Sequence, residues 1–107
     1  MRADMVQTQR IYDAERMMWR TYRAWYHAQV LAHYPDTGGN SLFVHNWYVC
    51  NRKDEQADQF LRDLDARWEP IKARMRRWQD QAQHREHVKA DEVGRYLWCA
   101  ACKAAVS

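Results

Sequence analysis

Four residues near the C-terminus have the spacing most readily turned to chemistry. Cys99 and Cys102 form a C-x-x-C pair, and His84 and His87 precede it, so the order reads H-x2-H-x11-C-x2-C. Two thiolates and two imidazoles can complete the tetrahedral shell of one Zn²⁺. Trp98 supplies an aromatic residue just before the first thiol. Drawn on two helices that turn back near Ala90, the Cys pair lies about 6–15 Å beyond the His pair, at 1.5 Å per residue. A bent connection would have to close that gap. Without one, Cys99 and Cys102 are small thiols facing a core, as free cysteines often are. The expectation is no resident cofactor, with zinc on His84, His87, Cys99 and Cys102 as the alternative.

A second group carries charge. Arg16, Arg20, Arg23 and His27 recur at helical spacing, flanked by Tyr12 and Trp19. Guanidinium groups so placed can track phosphates or an acidic protein surface. The plainer alternative is a solvated helix face. Lys72, Arg74, Arg76, Arg77 and Arg85 form another basic region, but Asp65, Glu69 and Asp80 are interspersed with it. Its field is therefore modest, and only the first stripe is clean. Catalytic patterns are missing: no Ser or Cys stands beside a base, no Gly-rich loop precedes a Lys, and no H-E-x-x-H occurs. The chain reads as a non-enzyme.

The elements that must position these residues follow from periodicity. The segment from about Asp4 to Tyr34 lacks Pro and Gly and is long enough for a helix of about 45 Å. On it Ile11, Met18, Trp19, Tyr22, Trp25, Tyr26 and Val30 fall within roughly 160°, and the Arg16–His27 stripe occupies a separate arc of roughly 60°. Pro35 to Asn40 is a loop: Pro35 disfavours helix at Tyr34, and Gly38 and Gly39 allow positive φ. Residues 41–50 fit a short helix that groups Phe43, Trp47 and Cys50; a strand is the alternative, disfavoured because no partner strand is evident. Asn51 is the expected N-cap of the next helix. Its seam is Phe60, Leu64, Trp68, Ile71, Met75, Trp78 and Ala82. Pro70 falls inside it and predicts either a kink or two helices meeting there. Asp91 is the expected cap of a final helix, with Val93, Leu97, Ala100 or Ala101, and Ala104 inward and Gly94 weakening its first turn. The expected fold is all-α, one domain over residues 1–107, a compact bundle of about four to five helices.

Composition agrees. Of 107 residues, 47% are hydrophobic and six are Trp, against three Gly and two Pro. That excludes a disordered chain and disfavours a turn-rich β-sandwich or barrel. No run of roughly 18 apolar residues suggests a membrane span. No signal-type pattern opens the chain, and three cysteines cannot all pair. A reducing cytoplasm with free thiols is the expectation.

Tyr34-Pro35-Asp36 is similar to the His-Pro-Asp loop of J-domain co-chaperones, which also follows a helix carrying basic residues. The likeness covers about seven residues, Tyr34 replaces the histidine, and the next segment departs from that family's helix pattern, so no function is carried over. By size and general character, though by no motif, the chain is similar to phage- or plasmid-encoded inhibitors of host defence such as anti-CRISPR proteins. The net charge of +3 is mild, but exposed Trp, Tyr and Arg dominate binding hot spots. The leading expectation is therefore a non-catalytic inhibitor or adaptor, docking Arg16, Trp19, Arg20, Arg23 and His27 on a protein or nucleoprotein. Alternatives are a zinc-stabilised nucleic-acid-binding module, and a homodimer that buries its aromatic surplus between two copies.

Overall fold

The computed structural model describes residues 3–51, 54–81, 84–91 and 97–106. Helix α1 spans Ala3–His33. It stops where the sequence says it must: Tyr34, before Pro35, has φ −131° and ψ 70°. A single 3₁₀ turn, Pro35–Thr37, follows, and Gly38 and Gly39 take φ +65° and +84°. Only glycine adopts such values at little cost. Asn40 then caps α2, Ser41–Phe43, by accepting the Leu42 amide at 2.9 Å.

The chain continues from α2 as a wider π-helical segment, Val44–Asn51. Residues 41–50 are thus helical, and the inward side is the one carrying Val44 and Tyr48, beside the Phe43, Trp47 and Cys50 group. Val44 is buried and Tyr48 and Val49 are half-buried, while Phe43, Trp47 and Cys50 are exposed. Widening from 3.6 residues per turn rotates successive side chains away from the face an α-helical count assigns.

Helix α3 spans Glu55–Gln79. Its cap is Asp54, whose carboxylate accepts the amides of Gln56 at 2.9 Å and Ala57 at 3.2 Å. Asn51, the expected cap, lies in the π-helical segment instead. The seam forms as expected: Leu64, Trp68, Ile71 and Met75 are buried, and Phe60 and Trp78 pack at its ends. Ala82 lies outside the described residues. Pro70 sits within one unbroken helix, so two helices do not meet there. Proline frees the carbonyl four residues earlier, and both Pro70 and Ala66 are exposed, where water can take that bond.

Helices α1 and α3 run antiparallel. Gln79 meets Ala14, Trp25 meets Trp68, Arg67 meets Gln29, and His33 meets Phe60, so partners descend on one helix as they rise on the other. Met18, Trp25, Val30, Leu64, Trp68 and Met75 form the shared core. Ile11 and Trp19, placed on the apolar arc by periodicity, are exposed. The buried stripe is narrower and runs through Ala14, Met18, Thr21, Trp25 and Val30.

The C-terminal region overturns the expected final helix. It forms a three-stranded antiparallel sheet in the order β1 (Val88–Ala90), β2 (Leu97–Cys99) and β3 (Ala104–Ala105). Val88 pairs with Cys99 and Ala90 with Leu97, and Cys99 pairs with Ala104. Val88, Leu97 and Cys99 point inward while Lys89 and Trp98 point out. That alternation is the period of a strand. Asp91 follows directly on β1, and Val93 and Gly94, in the expected first turn after it, lie outside the described residues. The architecture is predominantly α with a small sheet, rather than a four- to five-helix bundle.

Candidate binding face and metal centre

The stripe Arg16, Arg20, Arg23 and His27 lies on the solvent side of α1, as the phase predicts, and all four residues are exposed. Arg16, Arg20 and Arg23 make no ion pair among the described residues. Arg10 differs, since it reaches Glu86 at 3.4 Å. Two arginines lean on aromatic rings. The Arg16 guanidinium carbon is 5.8 Å from the Tyr12 ring centre, and that of Arg23 is 6.0 Å from Trp19. Such stacking holds a guanidinium in place without neutralising it. Trp19 is 58% exposed, as is Tyr12, so both rings are held mostly in water.

A groove of about 820 Å³ runs beside the stripe. Trp19, Arg20, Arg23 and His27 form one wall, and the loop Gly38–Ser41 forms the other. Gly39 makes this approach possible. A Cβ there would stand 2.5 Å from the His27 ring, so the imidazole rests where any other side chain would be. Asp65 is the acidic member of the lining. It accepts the Tyr22 hydroxyl at 3.1 Å. The sequence placed Gly38 and Gly39 in a turn, but their closeness to His27 has no local signal.

The C-terminal candidates converge differently. After α3 the His84 amide donates to the Gln81 carbonyl at 3.0 Å, and a turn from His84 follows in which the His87 amide donates to the His84 carbonyl at 3.0 Å. His84 points inward, where it is 3% exposed and meets the Trp78 ring edge-on at 5.0 Å. Strand β2 delivers Cys99, and the turn to β3 delivers Cys102. The Ala100 amide donates to the His87 carbonyl at 3.0 Å and ties that turn to the His84 segment. Because these are strands, not helices, the gap of about 6–15 Å expected at helical rise does not arise.

His84 Nδ1 lies 3.1 Å from Cys99 Sγ and 3.7 Å from Cys102 Sγ. All three ligand atoms lie within 4.8 Å of one another. His87, the fourth sequence candidate, does not join them; its Nε2 lies 3.4 Å from Glu86 Oε1. The Cys102 amide donates to Cys99 Sγ at 3.4 Å. Burial alone would raise the Cys99 thiol. The His84 ring, the Cys102 amide and thiol, and the Ala101 amide outweigh burial and bring it down to about 7. Cys102 moves the other way, chiefly because its thiol donates to Cys99, and secondarily through burial and the Cys99 charge. Lys103, at φ +53°, closes the turn in the left-handed region.

Cys50, the remaining thiol, is exposed and 3.3 Å from His45 Nε2 on the π-helical segment. Spacing missed that contact because five residues separate the pair, which faces one another only on a widened helix. No helix among the described residues is long and apolar enough to cross a membrane. No known family, curated protein or solved structure matches the chain.

Proposed function

We propose that this is a non-catalytic binding protein, an inhibitor or adaptor, whose α1 face docks on an acidic surface of a protein partner. The observation that carries the reading is the state of Arg16, Arg20 and Arg23. Three exposed guanidinium groups lie on one helix face with no acidic partner among the described residues, two of them steadied by Tyr12 and Trp19. A helix serving only as scaffold tends to pair such charges along its own surface, as Arg62 pairs with Asp58 on α3. Trp19 and the groove beside it add apolar area to the charge, and Trp with Arg is the pairing that dominates interface energetics. His27 closes the far end against Gly39.

A nucleic acid is the second reading, favoured by the same arginines, since guanidinium also binds phosphate bidentately. Salt distinguishes the two. Binding to duplex DNA or RNA should weaken with a log–log slope of about −0.9 for each phosphate neutralised. An acidic protein surface carries no condensed counterion layer to release, so ion pairing there with Trp19 at the centre should give a shallower slope.

The test is charge reversal of Arg16, Arg20 and Arg23 to Glu together. Retention of a partner from the native host, identified by mass spectrometry and reconstituted as a stoichiometric complex, should be lost. Urea stability should stay within about 0.5 kcal/mol, as expected for surface changes. If the triple variant unfolds, the stripe is structural. If it binds the reconstituted partner unchanged, the face is elsewhere.

A further inference from the structure

We infer that His84 Nδ1, Cys99 Sγ and Cys102 Sγ bind one thiophilic divalent cation of the Zn²⁺ type, joining the segment after α3 to the β2–β3 turn. This inference is independent of the α1 face.

Geometry is the first support. In a tetrahedral zinc site with Zn–S near 2.3 Å and Zn–N near 2.05 Å, a sulfur and a nitrogen ligand stand about 3.6 Å apart. The two separations here are 3.1 and 3.7 Å. A cation between these atoms therefore asks the His84–Cys99 pair to open by about 0.5 Å and leaves the His84–Cys102 pair almost where it is. The same three atoms share one hydrogen-bond network centred on Cys99 Sγ, and a cation would take the place of its exchangeable protons.

The backbone is the second support. The Cys102 amide points at Cys99 Sγ from within the turn. An amide aimed at sulfur favours thiolate, which is the metal-binding form. Two thiolates and a neutral imidazole leave a bound divalent ion with no net charge, which suits His84 at 3% and Cys99 at 0% exposure. The donor set is soft, so it selects zinc-type ions over Mg²⁺ or Ca²⁺.

Need is the third support. Strands of three, three and two residues form a sheet too small to hold itself. A metal that ties its central strand to the chain leaving α3 is a common remedy in small domains. Three protein ligands leave a fourth position, and exposed Cys102 makes it accessible to water.

The test uses the full-length chain, kept reduced. Metal content is measured as isolated; the protein is then stripped with a chelator and titrated with Co²⁺. The expected result is one Co²⁺ per chain, with a thiolate-to-cobalt charge-transfer band and the visible bands of tetrahedral cobalt, all displaced by Zn²⁺. Zn²⁺ should also raise Tm of the stripped protein. The variants His84→Ala, Cys99→Ser and Cys102→Ser should each weaken binding by well over tenfold, while His87→Ala should leave it within about twofold. Cys102 is exposed, so its variant remains folded by circular dichroism and keeps the experiment decisive if Cys99→Ser does not fold. Absence of the charge-transfer band at stoichiometric Co²⁺ overturns the inference. So does a loss on His87→Ala equal to that on His84→Ala, which would mean a different ligand set.

Discussion

Tyr22 sits where α1 meets α3, its ring 5.0 Å from Trp68 and its hydroxyl donating to Asp65. Burial, then the Asp65 charge and that hydrogen bond, then Tyr26, raise its pKa to about 12. In the unfolded chain the phenol returns to about 10. The folded value is the higher one, so its contribution to stability is full below pH 10 and is lost as pH rises through about 12. Tyr22→Phe removes the phenol. Urea stability of the wild type should therefore fall more steeply between pH 10 and pH 12 than that of Tyr22→Phe. Tyr26 and Tyr34 are also raised, by burial first. They titrate in both proteins, so the difference isolates Tyr22. Parallel pH profiles would show that Asp65 and burial do not hold the proton. At this scale the sequence was informative about residue type but not always about company. It picked His84, Cys99 and Cys102, yet it grouped His87 with them because helical spacing puts residues three apart on one face. In the turn actually formed, His87 goes to Glu86.

Asp54 illustrates how an element's start is decided. Asn51 and Asp54 are both good capping residues, three positions apart. The π-helical segment runs on through Asn51, and the cap is Asp54, at φ −83° and ψ 102°. Asp54→Ala should destabilise the protein by about 0.5–2 kcal/mol, as loss of a cap does. Urea denaturation checks it. An unchanged midpoint would mean that the amides of Gln56 and Ala57 find other acceptors. Elements longer than four turns were legible, because α1 and α3 sustain one phase long enough to exclude other periods. The short strands were not. Leu97, Ala101 and Ala104 fit a helical face, and Leu97 and Cys99 fit alternation equally well. What separates the readings is pairing with Val88 and Ala104, residues eleven positions before and five after Cys99. The periodicity of one segment carries no sign of that pairing.

Across the whole molecule, stability is unevenly distributed. The α1–α3 pair carries Trp25, Val30, Leu64, Trp68 and Met75, most of the large buried side chains. The sheet adds Val88 and Leu97 to that core, but its strands are short and β3 is exposed. Gln79, buried at the end of α3, donates to the Ala14 carbonyl at 2.9 Å and locks the two helices at the end nearest the sheet. The helical pair therefore does not depend on the sheet for its closure. A unit with few buried contacts opens below the free energy of global unfolding. In chelator-treated protein, amides of Val88–Ala90 and Leu97–Cys99 should exchange with deuterium faster than those of Leu64 and Met75. Their exchange should also depend only weakly on urea, since a local opening exposes little surface. Amides in the α1–α3 core should show the steep dependence of global unfolding. Zinc should slow exchange in the sheet, because an opening that separates Cys99 from His84 must also release the metal. Equal rates and equal urea slopes throughout would instead mean that sheet and helices form one cooperative unit, with Val88 and Leu97 as firmly held as Leu64.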